Sequence, residues 1–331
     1  MASKSKQYQE PTATSIGIDS GALLSLVRHT SENYPSLYSG PLFGFEDDNG
    51  SVDISHIYPY PYPDQYEGGS LRSRSGAKYQ QEILDSLKTL DYGVEFQGWF
   101  QSTLSGSFIT SQLVESLAQQ QLTNKNAFIL VHNMSSIGKE LDLKAVRLTR
   151  NFVTTYVEGK WKSKDLETNR LSYLNIFEEI PITINNQALV NLYLASETDT
   201  PKSTNEFDIL NLSSNHNLTA KLLESLSGQI DSYNFDQTNF NYYQRMYSKE
   251  NLKILQWKQN RRLENLERSK AGQKELDTNE WQSLFKLPAE PSRYNNMLHS
   301  SAIDNLADDL LKKCNEELTK SFAIEGKFAN E

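Results

Sequence analysis

The sequence predicts a mixed α/β domain followed by an extended α-helical tail. Between residues 16 and 196, short apolar runs alternate with patterns of helical period, which is typical of a mixed β-sheet flanked by helices. After Pro201 no proline occurs until Pro288, and leucines recur at helical intervals, which predicts long helices. Because 331 residues exceed one ordinary core, we expect these two patterns to form separate units.

The predicted elements of the first unit follow the order β-α-β-β-α-β-α-β-β. A cap at Asp19 or Ser20 begins the first helix, and glycines bound the strand at residues 40–45. Residues 177–184 and 189–194 contain β-branched side chains and are also predicted as strands. The other predicted strands cover residues 51–58, 94–100, 128–131 and 141–148, and the other predicted helices cover residues 79–87 and 109–118.

Two apolar stripes mark the predicted tail. The first predicts one long helix or two collinear helices, and the second predicts a last helix. A capping box of Ser301 and Asp304 begins the last helix, and Cys314 lies on its apolar face, where we expect a buried and therefore inert thiol. Such apolar stripes must be buried against another surface, and we expect other chains to bury most of them. The stripe residues are our candidate partner-binding residues: Leu218, Leu222, Leu226 and Ile230, then Ile303, Leu306, Leu310, Leu318 and Phe322.

The composition argues against several classes of protein. A formal charge of −9 repels phosphate over most of the surface, which argues against a dedicated nucleic-acid-binding domain. Because Cys314 is the only cysteine, no disulfide forms within the chain, and we expect a reducing compartment, either the cytosol or the nucleus. The first fourteen residues lack the apolar stretch of a signal peptide, and no apolar run long enough to span a bilayer follows. We therefore expect neither secretion nor membrane insertion.

The most informative stretch is residues 98–103, Gly-Trp-Phe-Gln-Ser-Thr, followed by Ser111 and Val114. It resembles the metalloprotease motif of the MPN (JAMM) domain family, in which two histidines follow Gly-Trp-Tyr and a serine and an aspartate come later. In catalytic members the two histidines and the aspartate hold a zinc ion, and an upstream glutamate is the general base. The spacing in this chain matches that motif, so the resemblance implies an MPN fold.

The residues at the zinc and base positions cannot perform that chemistry. Gln101 and Thr103 replace the two histidines, Val114 replaces the aspartate, and Leu37 stands where the glutamate is expected. Losing two imidazoles and a carboxylate removes most of the free energy of a zinc site, so we expect no metal, no cofactor and no small-molecule substrate. Ser111 is interpreted as an ordinary hydroxyl near a helix start.

Among metal-free MPN proteins, the run Gln101-Ser102-Thr103 with Gly106-Ser107-Phe108 resembles the h-subunit family of eukaryotic translation initiation factor three. Further matches lie at residues 177–182, 213–216 and 284–288, so the resemblance covers residues 16–322. It implies a non-catalytic scaffold that supports assembly on the small ribosomal subunit and mRNA recruitment. It also implies pairing with the MPN-containing f subunit, and a bundle formed with helices of other subunits.

The resemblance divides the chain into three parts. We expect a disordered N-terminal tail at residues 1–14 and a catalytically dead MPN domain at residues 15–200. Residues 201–331 are expected to form the helical region that joins the multi-subunit bundle.

Three other interpretations remain open at this point. The same domain and tail would suit a metal-free MPN subunit of the proteasome lid or the COP9 signalosome. A hydrolase with an unrecognised site would need a nucleophile, base or metal set that the sequence does not display. A weak RNA contact is a secondary role for the basic stretch, although such a run is usually a solvated helix face. Its cations are Lys249, Lys253, Lys258, Arg261, Arg262, Arg268, Lys270 and Lys274.

Overall fold

The computed structural model of the chain describes residues 10–47, 50–64, 73–90, 93–104, 106–134, 141–197, 213–270, 272, 274, 276–277 and 279–328. These residues form an eight-stranded mixed sheet with helices on both faces, followed by two long helices. No helix among these residues is both long and apolar enough to cross a membrane.

The strands are β1 (Ser15–Asp19), β2 (Ser39–Glu46), β3 (Ser51–Ile57), β4 (Glu95–Thr103), β5 (Phe128–Asn133), β6 (Leu143–Leu148), β7 (Phe177–Ile180) and β8 (Ile182–Asn185). The domain helices are α1 (Ser20–Glu32), α2 (Arg74–Thr89), α3 (Ser111–Gln121), α4 (Arg150–Glu158), α5 (Ser163–Thr168) and α6 (Ala188–Glu197). The tail contains α7 (Ser213–Lys270), the short α8 (Trp281–Leu284) and α9 (Tyr294–Phe328).

The predicted order of elements is confirmed from β1 to β6, and so is the mixed α/β class. The prediction of a strand at residues 189–194 is wrong, because that stretch lies in α6. Its single β-branched residue, Val190, is outweighed by neighbouring alanine and leucine, which favour a helix. Helices α4 and α5 were not predicted from the sequence.

Strand β4 lies inside the sheet, whose order is β7-β6-β5-β4-β2-β3-β1-β8. It pairs antiparallel with β2 and parallel with β5. The register sets Gln101 opposite Ser39 on one side and Val131 on the other, and Thr103 opposite Asn133. The end of the motif strand is therefore held by neighbours on both sides.

The two faces of the sheet carry separate apolar clusters. Phe100 of β4 belongs to the cluster that α1 covers, whereas Trp99 belongs to the cluster that includes residues of α3 and α4. Because side chains alternate along a strand, Gln101 and Thr103 lie on the same face as Trp99, toward α3. Val114 of α3 is fully buried in that same cluster.

The first half of α9 (residues 294–309) packs on the globular domain. Met297, Leu298 and Ala302 belong to the same buried cluster as α3 and α4. Helix α7 packs along α9, where Gln229 and His299 lie 2.8 Å apart as a hydrogen-bonded pair. The first half of α9 therefore shares an apolar cluster with the globular domain.

One boundary prediction is wrong. Helix α9 begins at Tyr294, so Ser301 lies inside the helix, where it is buried rather than capping. At the other terminus, the Thr12 backbone amide donates to the Asn126 side chain over 2.9 Å and Ala13 is buried, so the last residues before β1 contact the globular domain. Residues 1–9 lie outside the described part of the chain.

Candidate functional site

The structure brings the predicted zinc-ligand positions onto one side of the sheet. Gln101 and Thr103 are fully buried at the end of β4, and Val114 is fully buried on α3, which covers that face. Helix α3 begins at Ser111, and Thr110 caps it by accepting a hydrogen bond from the Leu113 amide over 3.3 Å. Ser111 is thus an exposed first-turn residue, as the sequence predicted.

Ser102 connects the end of β4 by hydrogen bonds to the segment that contains Leu37, the residue at the general-base position of the motif. Its hydroxyl donates to the Tyr38 carbonyl over 2.9 Å and accepts from the Tyr38 amide over 2.7 Å. The Ser102 amide donates to the same carbonyl over 2.8 Å. Leu37 therefore lies next in sequence to a residue bound to the motif strand, and its half-buried side chain supplies no proton acceptor.

A group of buried polar atoms surrounds the former ligand positions without hydrogen-bond partners among the described residues. It consists of the Ser39 hydroxyl, both polar atoms of the Gln101 amide and the Thr103 hydroxyl. Ser39 and Gln101 face each other across β2 and β4, and all three residues are fully buried. A buried polar atom without a partner costs free energy, so these substitutions leave a local weakness in the core.

The residues at these positions do not fit a zinc ion. Zinc sites use thiolate, imidazole or carboxylate ligands, whereas amide, hydroxyl and methyl groups occupy the positions here. Within the described ranges, no group of three or more His, Cys, Asp or Glu could hold a metal ion.

His132 is the nearest histidine along the sheet, and it faces the other way. It pairs in register with Ser102, which points to the α1 face, and its Nδ1 lies 3.4 Å from the Thr30 hydroxyl. Burial lowers the pKa of His132, only partly offset by Asp142. The sequence alone did not separate this histidine from the motif face.

The candidate partner-binding residues separate into two groups in the structure. Leu222 and Leu306 are buried within this chain, so these two side chains are not free to contact a partner in this structure. Leu318 is 54% exposed and Phe322 is 67% exposed, beyond the part of α9 that meets the domain. Of the remaining candidates, Ile230 is exposed, Leu226, Ile303 and Leu310 are half-buried, and the Leu218 side chain lies outside the described residues.

Further apolar side chains are exposed along the second half of α7. The set consists of Leu252, Leu255, Leu263 and Leu266, each at least 55% exposed. Cys314 on α9 is also exposed, so the prediction of a buried thiol is wrong. A helix packed on one side leaves its other face to solvent, and periodicity alone does not tell which face that is.

The basic stretch of α7 is not simply a solvated face. The Arg261 side chain is only 16% exposed, forms an ion pair with Glu280 and lies 4.7 Å over the Trp257 ring. Lys258 lies 4.2 Å from the centre of the Trp281 ring. These contacts hold the segment around α8 against the end of α7, whereas Arg262 stays exposed.

Comparison with known proteins places these features in a family. Residues 137–328 match the family model described as the C-terminal region of eIF3h. The h subunit of eukaryotic translation initiation factor 3 from Yarrowia lipolytica is 35% identical, with 88% of this chain and 92% of that protein covered. The Neurospora crassa protein of the same name is 30% identical, with 94% of this chain and 96% of that protein covered.

Two more proteins show lower identity. The h subunit of the same factor from Aspergillus clavatus is 28% identical, with 96% of this chain and 97% of that protein covered. Among solved structures, protein DSY2949 of Desulfitobacterium hafniense matches 52% of this chain and 94% of its own at 11% identity, with a TM-score of only 0.34.

The family model covers the helical tail, and the curated relatives cover most of the globular domain as well. They also decide between the initiation factor and the proteasome lid or signalosome, which the sequence had left open. The chain belongs to the eIF3h family, the h subunits of eukaryotic translation initiation factor 3.

Proposed function

We propose that this protein is a non-catalytic scaffold subunit of the cytoplasmic translation initiation factor 3 complex. In that role it supports assembly of the complex on the small ribosomal subunit and recruitment of mRNA. The curated relatives carry the names of initiation-factor subunits. The amide, hydroxyl and apolar side chains at the zinc and base positions support a non-catalytic role, because they cannot activate a water molecule.

The observation that carries the proposal is the exposed apolar surface at the far end of the tail. Leu318 and Phe322 lie on a helix whose first half is already packed on the domain. Contiguous exposed apolar side chains on an otherwise solvated helix typically mark a protein interface. Helices of other subunits are the partners that such a surface fits, in a mixed helical bundle.

The globular domain and the basic stretch supply further contacts in this proposal. The MPN domain pairs with the MPN domain of the f subunit, and the ribosome is reached through the complex. The exposed cations of α7, such as Arg262, make at most a weak and salt-dependent RNA contact. No small-molecule substrate and no membrane take part.

A matched pair of variants tests the tail interface. Phe322→Asp places a charge on the exposed apolar surface, whereas Ser321→Asp places it on the neighbouring exposed position. Both variants should keep wild-type stability in urea unfolding, because neither side chain is buried in the free chain. Only Phe322→Asp should reduce co-purification of a tagged copy with the other subunits. Equal incorporation of both variants would contradict the proposed interface.

A further inference from the structure

Helix α9 makes a close contact with the loop that follows the motif strand. The Asn305 side chain donates a hydrogen bond to the Gly106 carbonyl over 3.2 Å. Gly106 has a φ of +70°, and a Cβ built there would overlap a carboxylate oxygen of Asp309. Glycine is therefore required at position 106 for two independent reasons, its backbone conformation and the closeness of α9.

The Asp309 carboxylate is enclosed but not tightly paired. The residue is 8% exposed, and its nearest cations, Lys144 and Lys312, both lie 3.8 Å away. A cavity of about 10 Å³ beside it is lined by Gly106, Phe108, Val131, Asn133, Asp142 and Lys144. Burial raises the pKa of Asp309, and with the nearby Asp142 it outweighs the opposite effect of Lys144, Lys312 and Lys313, so the charge opposes docking of the helix.

This contact adjoins the degenerate metal motif. Val131 and Asn133, which line the cavity, are the β5 partners of Gln101 and Thr103. The loop that follows the ligand strand in the MPN motif thus receives a helix of the same chain. Docking buries the apolar face of α9 that includes Met297, Leu298 and Ala302.

We propose that the Asn305–Gly106 hydrogen bond is a releasable latch, which holds the first half of α9 on the domain of the free subunit, and that the enclosed Asp309 carboxylate beside it favours release. While the latch is closed, α9 withholds Met297, Leu298 and Ala302 from helices of other chains. The enclosed carboxylate weakens the closed state, because opening returns the charge to water. Release therefore lets this face join the helical assembly, and this part of the inference rests on the proposed scaffold function.

Hydrogen exchange of the full-length free chain tests the latch. Gly106→Ala should speed exchange of residues 296–309 by about tenfold or more, since local protection reports how often a segment opens. Gly159→Ala is the matched control, because Gly159 has a similar φ of +66° but no atom within reach of an added Cβ. Asp309→Ala in the Gly106→Ala background removes the overlapping carboxylate and should restore most of the protection.

A fourth variant tests whether the latch is built to open. Asp309→Asn keeps the shape and removes the charge, so exchange of residues 296–309 should slow by about threefold or more at neutral pH. Faster exchange would show that the carboxylate anchors the helix, and would overturn the releasable latch.

The remaining outcomes also decide the inference. Unchanged exchange in Gly106→Ala, or exchange as fast in Gly159→Ala, would overturn the role of Gly106. Exchange of β4 and β5 is recorded in the same experiment as a check on folding. If Gly106→Ala also loses protection in β4 and β5, this variant alone does not test the latch. The latch is then judged from the rescue by Asp309→Ala and from the exchange rate of Asp309→Asn. Since no other subunit is present, failure of the latch is distinguishable from failure of the tail interface.

Discussion

Two neighbouring hydroxyls on β4 should respond in opposite ways when they are removed. Thr103→Val deletes a buried hydroxyl that has no hydrogen-bond partner among the described residues. Ser102→Ala deletes a buried hydroxyl that both accepts from and donates to the Tyr38 backbone. We expect the first change to raise the free energy of unfolding and the second to lower it.

The magnitudes follow from the contacts. Burying a hydroxyl without a partner costs roughly 1–3 kcal/mol, and valine has nearly the shape of threonine, so Thr103→Val should recover about 1–2 kcal/mol. Ser102→Ala loses two hydrogen bonds and leaves the Tyr38 amide without its acceptor, which should cost about 1–3 kcal/mol. The free energies of unfolding of the two variants should therefore lie on opposite sides of the wild-type value and differ from each other by at least about 2 kcal/mol.

Urea unfolding of the purified full-length chain measures both effects. Equal slopes of the unfolding free energy against urea would show that the exposed surface has not changed, so that midpoints can be compared directly. If Thr103→Val destabilises the protein as much as Ser102→Ala, the Thr103 hydroxyl is hydrogen-bonded in solution. The view of this site as a region of unmet polar groups would then be refuted.

Three further predictions follow from the same structure. Replacing Gln101 and Thr103 by His should restore neither zinc binding nor isopeptide cleavage, since the third ligand and the base are still missing; one zinc per chain by atomic absorption would contradict this. Arg261→Glu should speed hydrogen exchange around α8, whereas Arg262→Glu should not, and equal effects would contradict the ion-pair assignment. The pKa of His132 is lower in the folded chain than its unfolded value of about 6.5. His132 therefore contributes to the free energy of unfolding above about pH 6.5, and this contribution is lost as the pH falls toward the pKa of the folded chain. His132→Asn should flatten this loss in urea unfolding, and an unchanged pH profile would show that His132 does not contribute.

The degenerate motif could be read from the sequence because its parts are local. Gln101 and Thr103 lie two residues apart on one strand, so the alternation of side chains places them on one face. Val114 follows on the next helix, within the spacing of the MPN motif. The absence of hydrogen-bond partners around Gln101 was not predictable, because Ser39 comes from another strand and its register with Gln101 is set by sheet pairing.

The sequence by itself determined the mixed α/β class, the order of elements from β1 to β6, the loss of the zinc ligands and the presence of long apolar-striped helices. These properties depend on residue type and on short-range periodicity. Only the tertiary structure decided which face of each tail helix is covered. Leu306 and Leu318 have the same residue type and the same stripe, yet the chain buries the first and leaves 54% of the second exposed. Leu306 lies next to Asn305, which donates a hydrogen bond to Gly106 about 200 residues away in sequence, whereas Leu318 lies beyond that contact, and contacts at that separation leave no local pattern.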